Sequence, residues 1–159
     1  MKASDKRNGR SCLPVLIALT LALIWGHSLL GRELSSKESG FVTRLLTPVL
    51  ELVVGRGNVT NLLVRKLAHF SEYTLLGTEL CLYFTLKRQD GKSGFLLSTA
   101  HGLFSAFLDE TIQIFSGRGP SVTDVWIDLS GVITGSLILL LILLSRKRRN
   151  KKGTFPPHH

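Results

Sequence analysis

Four long apolar runs dominate the chain, and polar residues interrupt three of them. The first run, residues 11–31, has no formally charged residue between Arg10 and Arg32. The others lie at about residues 67–86, 93–115 and 124–145. A helix rises about 1.5 Å per residue and needs roughly 20 residues to cross the hydrocarbon core of a bilayer. The pattern therefore predicts an all-α, polytopic membrane protein, a four-transmembrane-helix bundle with spans at these positions.

A shorter apolar stretch, FVTRLLTPVLELVVG at residues 41–55, lies between the first two predicted spans. Helical spacing places one set of apolar side chains on a common face: Phe41, Leu45, Leu46, Val49, Leu50 and Val53. The stretch is too short to span and contains Pro48. We expect an interfacial or re-entrant helix on the outer surface. A helix packed beneath the loop is the alternative.

The basic residues predict the orientation of the spans. They concentrate in three segments: the N-terminal tail (1–10), the connection KRQDGK (87–92) and the C-terminal tail (146–159). With four spans these segments share one side, which the positive-inside rule makes cytoplasmic. Residues 1–10 and 146–159 are then cytoplasmic basic tails, and residues 11–145 form the membrane domain. A cleaved signal peptide is the alternative for the first run, but no small-x-small site follows it.

Composition supports membrane insertion. The chain has 159 residues, is 44% hydrophobic and has a mean hydropathy of +0.23. Its net charge of +9 lies mostly in short tracts beside apolar runs, so membrane orientation accounts for it and no nucleic-acid partner is predicted. Cys12 and Cys81 have no metal-ligand spacing, and we predict no disulfide, no metal and no cofactor.

Buried polar residues are expected to converge near the outer face. The second span runs inward and places Lys66, His69, Glu72 and Tyr73 in its outer half. The third span ends there, and the fourth begins there. The group from these two spans and their connection comprises Asp109, Glu110, Gln113, Arg118, Ser121, Asp124 and Asp128. Charged groups inside a membrane are costly, so such a gathering predicts a binding or catalytic pocket open to the outer leaflet. Polar contacts that only hold helices together are the alternative.

Helical phase agrees with this convergence. At about 100° per residue, one small or polar face of the third span contains Ser98, Gly102, Ser105, Ala106, Asp109 and Gln113. On the fourth span, Gly131 and Gly135 form a GxxxG pair on the side of the two aspartates, which allows close helix approach and is the sequence's hint of a homo-oligomer. Glu79 and His101 lie off the cluster, and packing roles are expected for them.

Three segments resemble the VanZ-like membrane proteins: IWGHSLLGRELSSKESG (24–40), RKLAHFSEYTLLG (65–77) and DETIQIFSGRGPSVTDVWIDLSGVITG (109–135). The resemblance implies a small multi-pass protein of the bacterial plasma membrane with both termini cytoplasmic. It also implies a relation to a protein associated with low-level resistance to the glycopeptide teicoplanin. The polar positions it singles out are those of the cluster. Asp128 stands where some members have Asn.

These observations lead to rival functional hypotheses. The leading one is a protein that binds an amphiphilic ligand, such as a membrane lipid, a lipid-linked wall precursor or a lipoglycopeptide. Its ligand-binding residues would be Lys66, Tyr73, Gln113, Arg118, Ser121, Asp124 and Asp128. The second is an intramembrane hydrolase or transferase acting on lipid, with catalytic candidates His69, Glu72, Asp109 and Glu110. A hard divalent cation held by the acids lacks a spacing motif, and a small transporter or scaffold is the third hypothesis.

Overall fold

Four long helices make up the bundle. The computed structural model describes residues 2–29, 43–45, 47–52, 55–117, 119 and 121–152, with side chains from residue 12 to residue 149. The long helices are α1 (Lys2–Leu29), α2 (Asn61–Arg88), α3 (Gly91–Phe115) and α4 (Val122–Lys152). The described residues contain helices and their connections without a strand, which confirms the all-α prediction. Both α1 and α4 continue into the predicted basic tails.

Local capping explains where α2 ends and α3 begins. Thr60 starts α2 by accepting a hydrogen bond on its hydroxyl from the Leu63 amide at 3.1 Å. Gln89 closes α2 in the left-handed conformation, with φ of 56°. The next residue, Asp90, accepts from the amides of Lys92 and Ser93 and so caps α3. The α2–α3 connection is therefore tight, and the two helices run antiparallel.

The packing is centred on α2, which contacts the other three long helices. Glycines allow α2 and α4 to touch through their backbones. A Cβ added at Gly131 would lie 2.6 Å from the Phe70 carbonyl oxygen, and one added at Gly135 would overlap the Thr74 carbonyl. The GxxxG pair thus faces α2 of the same chain. Small residues at helix crossings permit this approach in membrane bundles.

A short series of hydrogen bonds links α2, α3 and α4. Ser98 of α3 and Ser136 of α4 share a hydrogen bond of 2.9 Å. The Ser136 hydroxyl also lies 3.2 Å from the Gly77 carbonyl oxygen of α2, to which it can donate. Both serines are fully buried. Hydrogen bonds between helices in membrane bundles contribute about 0.6 kcal/mol each. These two bonds therefore fix the register of the three helices more than they stabilise the fold.

Two helices are long and apolar enough to cross a membrane by length and composition: Cys12–Leu29 of α1 and Val122–Arg149 of α4. Only 22% and 28% of the residues in these windows are buried inside the protein. By the same test α2 and α3 do not qualify among the described residues. Their polar side chains, including Asp109 and Glu110 of α3, lower the mean hydropathy. The sequence prediction of four apolar spans is therefore supported for two helices.

The predicted outer helix is only partly described. Residues 43–45 and 47–52 are helical, including Pro48. Of its predicted apolar face, Leu45 and Val49 are mostly exposed, whereas Phe41, Leu46 and Val53 lie outside the described residues. Leu50 of the same face is partly buried, so the described part of this apolar face is largely but not wholly exposed.

Candidate functional site

Three helices bring one imidazole and two carboxylates together. His69 comes from α2, Asp109 from α3 and Asp128 from α4, and their ligating atoms all lie within 4.8 Å of one another. His69 Nδ1 is 3.6 Å from Asp128 Oδ1 and 3.9 Å from Asp109 Oδ2. Both aspartates are completely buried, whereas the His69 side chain is 12% exposed. We call these three residues the central triad.

Polar side chains surround the central triad. Gln113 lies one turn after Asp109 on α3, and its amide nitrogen donates to Asp109 Oδ2 at 2.9 Å. The Tyr73 hydroxyl is buried within electrostatic range of both aspartates and lies close to Ser105. Neither hydroxyl makes a hydrogen bond of ordinary geometry with the described residues. Buried polar groups normally make hydrogen bonds, so these two hydroxyls can accept or donate one to a further group.

One ion pair and one contact between a histidine and a glutamate lie beside the central triad. Lys66 Nζ of α2 donates to Asp124 Oδ1 of α4 at 2.9 Å, with side chains 28% and 17% exposed. His27 Nδ1 of α1 lies 2.9 Å from Glu72 Oε1 of α2. Because these groups are partly exposed, they give the buried aspartates a polar border with the surroundings. Surface ion pairs of this kind contribute about 0–1 kcal/mol each.

Glu110 has a different setting from its neighbour Asp109. Its Oε2 accepts a hydrogen bond of 2.7 Å from the Ser121 amide, immediately before α4 begins. The start of a helix carries partial positive charge, which favours a carboxylate there. Glu110 therefore joins the end of α3 to the start of α4. This contact makes Glu110 and Ser121 supports for the site in addition to candidate members of it.

The structure brings together most of the residues singled out from sequence. The central triad, Tyr73 and Gln113 form one group, and Lys66, Glu72 and Asp124 border it. Arg118, the predicted reader of anionic groups, lies outside the described residues. The off-cluster placement of His101 is confirmed, since its Nδ1–H donates to the Leu97 carbonyl on the exposed side of α3.

Sequence reasoning missed the contribution of α1. Besides the pair between His27 and Glu72, Gln113 Nε2 lies 3.5 Å from Ser28 Oγ. The Ser116 hydroxyl donates to the Ser28 carbonyl at 2.8 Å. The signal was present: His27 and Ser28 are polar residues at the outer end of the first apolar run, at the depth expected for the cluster.

A separate cavity of about 340 Å³ lies at the opposite end of α2. Its lining residues are Leu13, Tyr83, Leu86, Lys87 and Gln89. None of them was a candidate site residue, and none of these described lining residues is a carboxylate. The central triad is the better candidate in spite of the volume of this cavity. Its ionisable groups converge on one place, as is expected of a functional site.

Fold and site together define a helical protein with apolar outer helices and a buried acidic centre. The two apolar helices suggest a membrane protein. The family model VanZ/LLP1 matches residues 13–144, and the chain therefore belongs to the VanZ/LLP1 family. The resemblance noted in the sequence is thus confirmed. No curated protein and no solved structure shows significant similarity to the chain.

Proposed function

We propose that the protein crosses the membrane four times and binds an anionic amphiphile at its outer leaflet, on the face bordered by Lys66 and His69. The observation that carries this proposal is the buried central triad, bordered at one end of the bundle by the partly exposed pair of Lys66 and Asp124. The ligand classes that fit are a lipid-linked wall precursor and a lipoglycopeptide.

The distribution of apolar side chains supports membrane insertion. Large hydrophobic side chains on the outer surfaces of α1 and α4 are half-exposed or more, among them Leu19, Leu23, Leu141 and Leu144. Contiguous exposed apolar surface of this kind is rare on soluble monomers. On α3 the polar residues are buried instead: Ser98, Ser105, Asp109, Glu110 and Gln113. Such an inside-out arrangement suits α2 and α3 to spanning in spite of their low hydropathy.

The chemistry of the border favours an anionic headgroup. Lys66 provides a partly exposed ammonium group, which a headgroup would share with Asp124, and the sequence adds Arg118 in the α3–α4 connection. An ammonium or guanidinium binds phosphate and carboxylate through charge-assisted hydrogen bonds. The exposed apolar face with Leu45 and Val49 would lie beside the acyl chains. A polar head and an apolar tail are thus both accommodated.

Native mass spectrometry of the purified protein tests this binding. The probe is a polyprenyl phosphate, and phosphatidylcholine is the zwitterionic comparison. Wild type is expected to prefer the polyprenyl phosphate, and Lys66→Ala to lose about 3- to 10-fold in apparent affinity. Lys87→Ala is the matched control, because Lys87 ends the same helix at the opposite end of the bundle. Equal binding by both variants, or no preference for the anionic lipid, would refute the proposal.

The four-span topology has its own test. Single cysteines are introduced at Asn58, before α2, and at Lys92, after the α2–α3 connection, in a chain lacking Cys12 and Cys81. A membrane-impermeant maleimide added to intact cells is expected to label the cysteine at 58. The cysteine at 92 should react only after permeabilisation. Labelling of both positions from outside would show that α2 does not cross.

Family resemblance extends the proposal to antibiotics. Binding of a lipoglycopeptide or of its lipid-linked target would lower susceptibility to glycopeptides such as teicoplanin. Expression of wild type in a susceptible bacterium should raise the inhibitory concentration of teicoplanin, and Arg118→Ala and Glu72→Gln should abolish the increase. Equal protection by these variants at wild-type protein levels would separate resistance from this site.

Catalysis on a lipid is the second candidate. Its specific support is the position of His69 between Asp109 and Asp128, with neither Asp128 oxygen accepting a hydrogen bond from the described residues. An imidazole beside carboxylates can accept and return a proton. Mass spectrometry of lipids from deletion and overexpressing cells tests it, with Asp128→Asn as the control. An unchanged lipid profile would exclude the enzyme.

A further inference from the structure

The distances between the side chains of the central triad are longer than hydrogen bonds but shorter than those between side chains that do not interact. Hydrogen bonds between nitrogen and oxygen are about 2.7–3.2 Å long. His69 Nδ1 lies at 3.6 Å and 3.9 Å from the nearest oxygens of Asp128 and Asp109. All three groups come from different helices, yet they remain within 4.8 Å of one another. These separations are too long for hydrogen bonds, yet the three groups remain close together. The space between them is about the size that one small ion occupies.

A metal ion fits that space. Zinc binds imidazole nitrogen at about 2.0–2.1 Å and carboxylate oxygen at about 2.0–2.2 Å, so neighbouring ligand atoms of a tetrahedral site lie about 3.3–3.5 Å apart. The observed 3.6 Å and 3.9 Å are a few tenths of an ångström wider. All three ligand atoms lie within 4.8 Å of one another, so the aspartate oxygens would have to move inward to close the site around an ion.

Unsatisfied oxygens point into the same space. Both carboxylate oxygens of Asp128 and Oδ1 of Asp109 accept no hydrogen bond from the described residues, although both side chains are fully buried. The Tyr73 hydroxyl, also fully buried and within electrostatic range of both aspartates, is likewise without one. A buried polar atom left unpaired costs about 1–3 kcal/mol. Unpaired oxygens on both aspartates of the central triad indicate that a ligand completes the site.

Charge and orientation agree with a cation. Asp109 and Asp128 are two carboxyl groups on facing helices, and a divalent ion would neutralise both as carboxylates. Gln113 donates to Asp109 Oδ2 at 2.9 Å and so fixes the direction of that carboxylate. Hydrogen bonds to a ligating group are the usual outer support of metal sites, and their removal typically weakens metal binding 10- to 100-fold.

We propose that His69, Asp109 and Asp128 bind a divalent transition-metal ion at the polar end of the bundle. An imidazole ligand favours zinc and two carboxylates also suit manganese, whereas magnesium and calcium prefer oxygen alone. Three protein ligands leave a position for water or for an oxygen of a bound molecule. The metal site does not depend on the amphiphile proposed above, because the three ligands are present without it.

Metal binding is measured on the full chain, purified in detergent with an affinity tag that contains no histidine. After chelation and dialysis, the protein is titrated with Zn²⁺, Mn²⁺, Mg²⁺ and Ca²⁺, and bound metal is counted by elemental mass spectrometry. Wild type is expected to retain about one equivalent of Zn²⁺ or Mn²⁺. At about 100 times Kd, the ion should raise the unfolding temperature by roughly 5–10 °C.

Variants then locate the ion. Asp128→Asn and His69→Gln preserve side-chain size and should reduce affinity at least about 100-fold, whereas Gln113→Leu should weaken it by about 10- to 100-fold. Glu79→Gln is the matched control, an acid on the same helix as His69 but outside the central triad. Less than about 0.1 equivalent on wild type would overturn the site. Undiminished binding by Asp128→Asn would also overturn it and would point to His158 and His159.

No lipid is added in this titration, so its result and that of the lipid-binding experiment are independent. If the protein binds metal but does not prefer polyprenyl phosphate, the metal site is supported and the proposed lipid ligand is refuted. Preference for Mg²⁺ or Ca²⁺ would contradict the role given to His69.

Discussion

Replacement of Gly131 by alanine tests the close approach of α2 and α4. A Cβ at this position would lie 2.6 Å from the Phe70 carbonyl oxygen, and ordinary contact begins at 3.4 Å, so the helices must separate by up to 0.8 Å. The obstacle is backbone and cannot rotate away. Overpacking of this kind costs about 1–3 kcal/mol. The higher helix propensity of alanine returns about 1 kcal/mol. Because the overlap is with rigid backbone, we place its cost at about 2–3 kcal/mol, which leaves a net loss of about 1–2 kcal/mol.

Thermal unfolding in detergent measures this loss. For a chain of this length, 1–2 kcal/mol corresponds to a decrease of roughly 2–8 °C in Tm. Gly26→Ala is the matched control, because Gly26 is also helical and nothing lies within 4 Å of its added Cβ. That variant should unfold at the wild-type temperature or slightly above it. A Tm for Gly131→Ala equal to or above that of wild type would refute the backbone contact between α2 and α4.

Three further predictions concern the connection, the series of hydrogen bonds between helices and the thiols. Hydrogen bonds from Ser93 and then Lys92 lower the pKa of Asp90 below its ordinary 3.8. The ionised Asp90 stabilises the fold above pH 3.8, and this stability is lost as the pH falls through the lowered pKa. Asp90→Asn should therefore flatten the decline of Tm between about pH 5 and 3. Ser136→Ala should cost about 0.6–1.5 kcal/mol by thermal unfolding, and the exposed Ser130→Ala close to nothing. In detergent, a maleimide should label exposed Cys12 well before buried Cys81; equal rates would contradict the packing around Cys81.

Helical periodicity was sufficient to predict the buried side of α3. All six residues assigned to one face from spacing are buried: Ser98, Gly102, Ser105, Ala106, Asp109 and Gln113. The reason is geometric, since 3.6 residues per turn fixes which side chains share a face. Glu110 is buried as well, off that face. Its burial comes from the contact with the Ser121 amide, which depends on how the following connection folds.

Neighbours across helices could not be predicted in the same way. Depth in the membrane indicated that His69, Asp109 and Asp128 would lie at one level, but not that they would meet within 4.8 Å. The partner of Glu72 is His27 of α1, some 45 residues away in sequence. Periodicity orients a helix without specifying which helix stands beside it. That choice is made by packing, here by the glycines that bring α4 against α2.

The short connection between α2 and α3 has a consequence for how the protein enters a membrane. Gln89 ends one helix and Asp90 caps the next, so the pair forms an antiparallel hairpin with almost no slack. In the four-span topology proposed above, α3 alone would expose Asp109 to lipid, and α2 alone would expose His69. Folded together as a hairpin, they shield one another's polar faces before α4 arrives. We expect the translocation machinery to handle these two helices as one unit, which a strongly apolar helix such as α1 does not require.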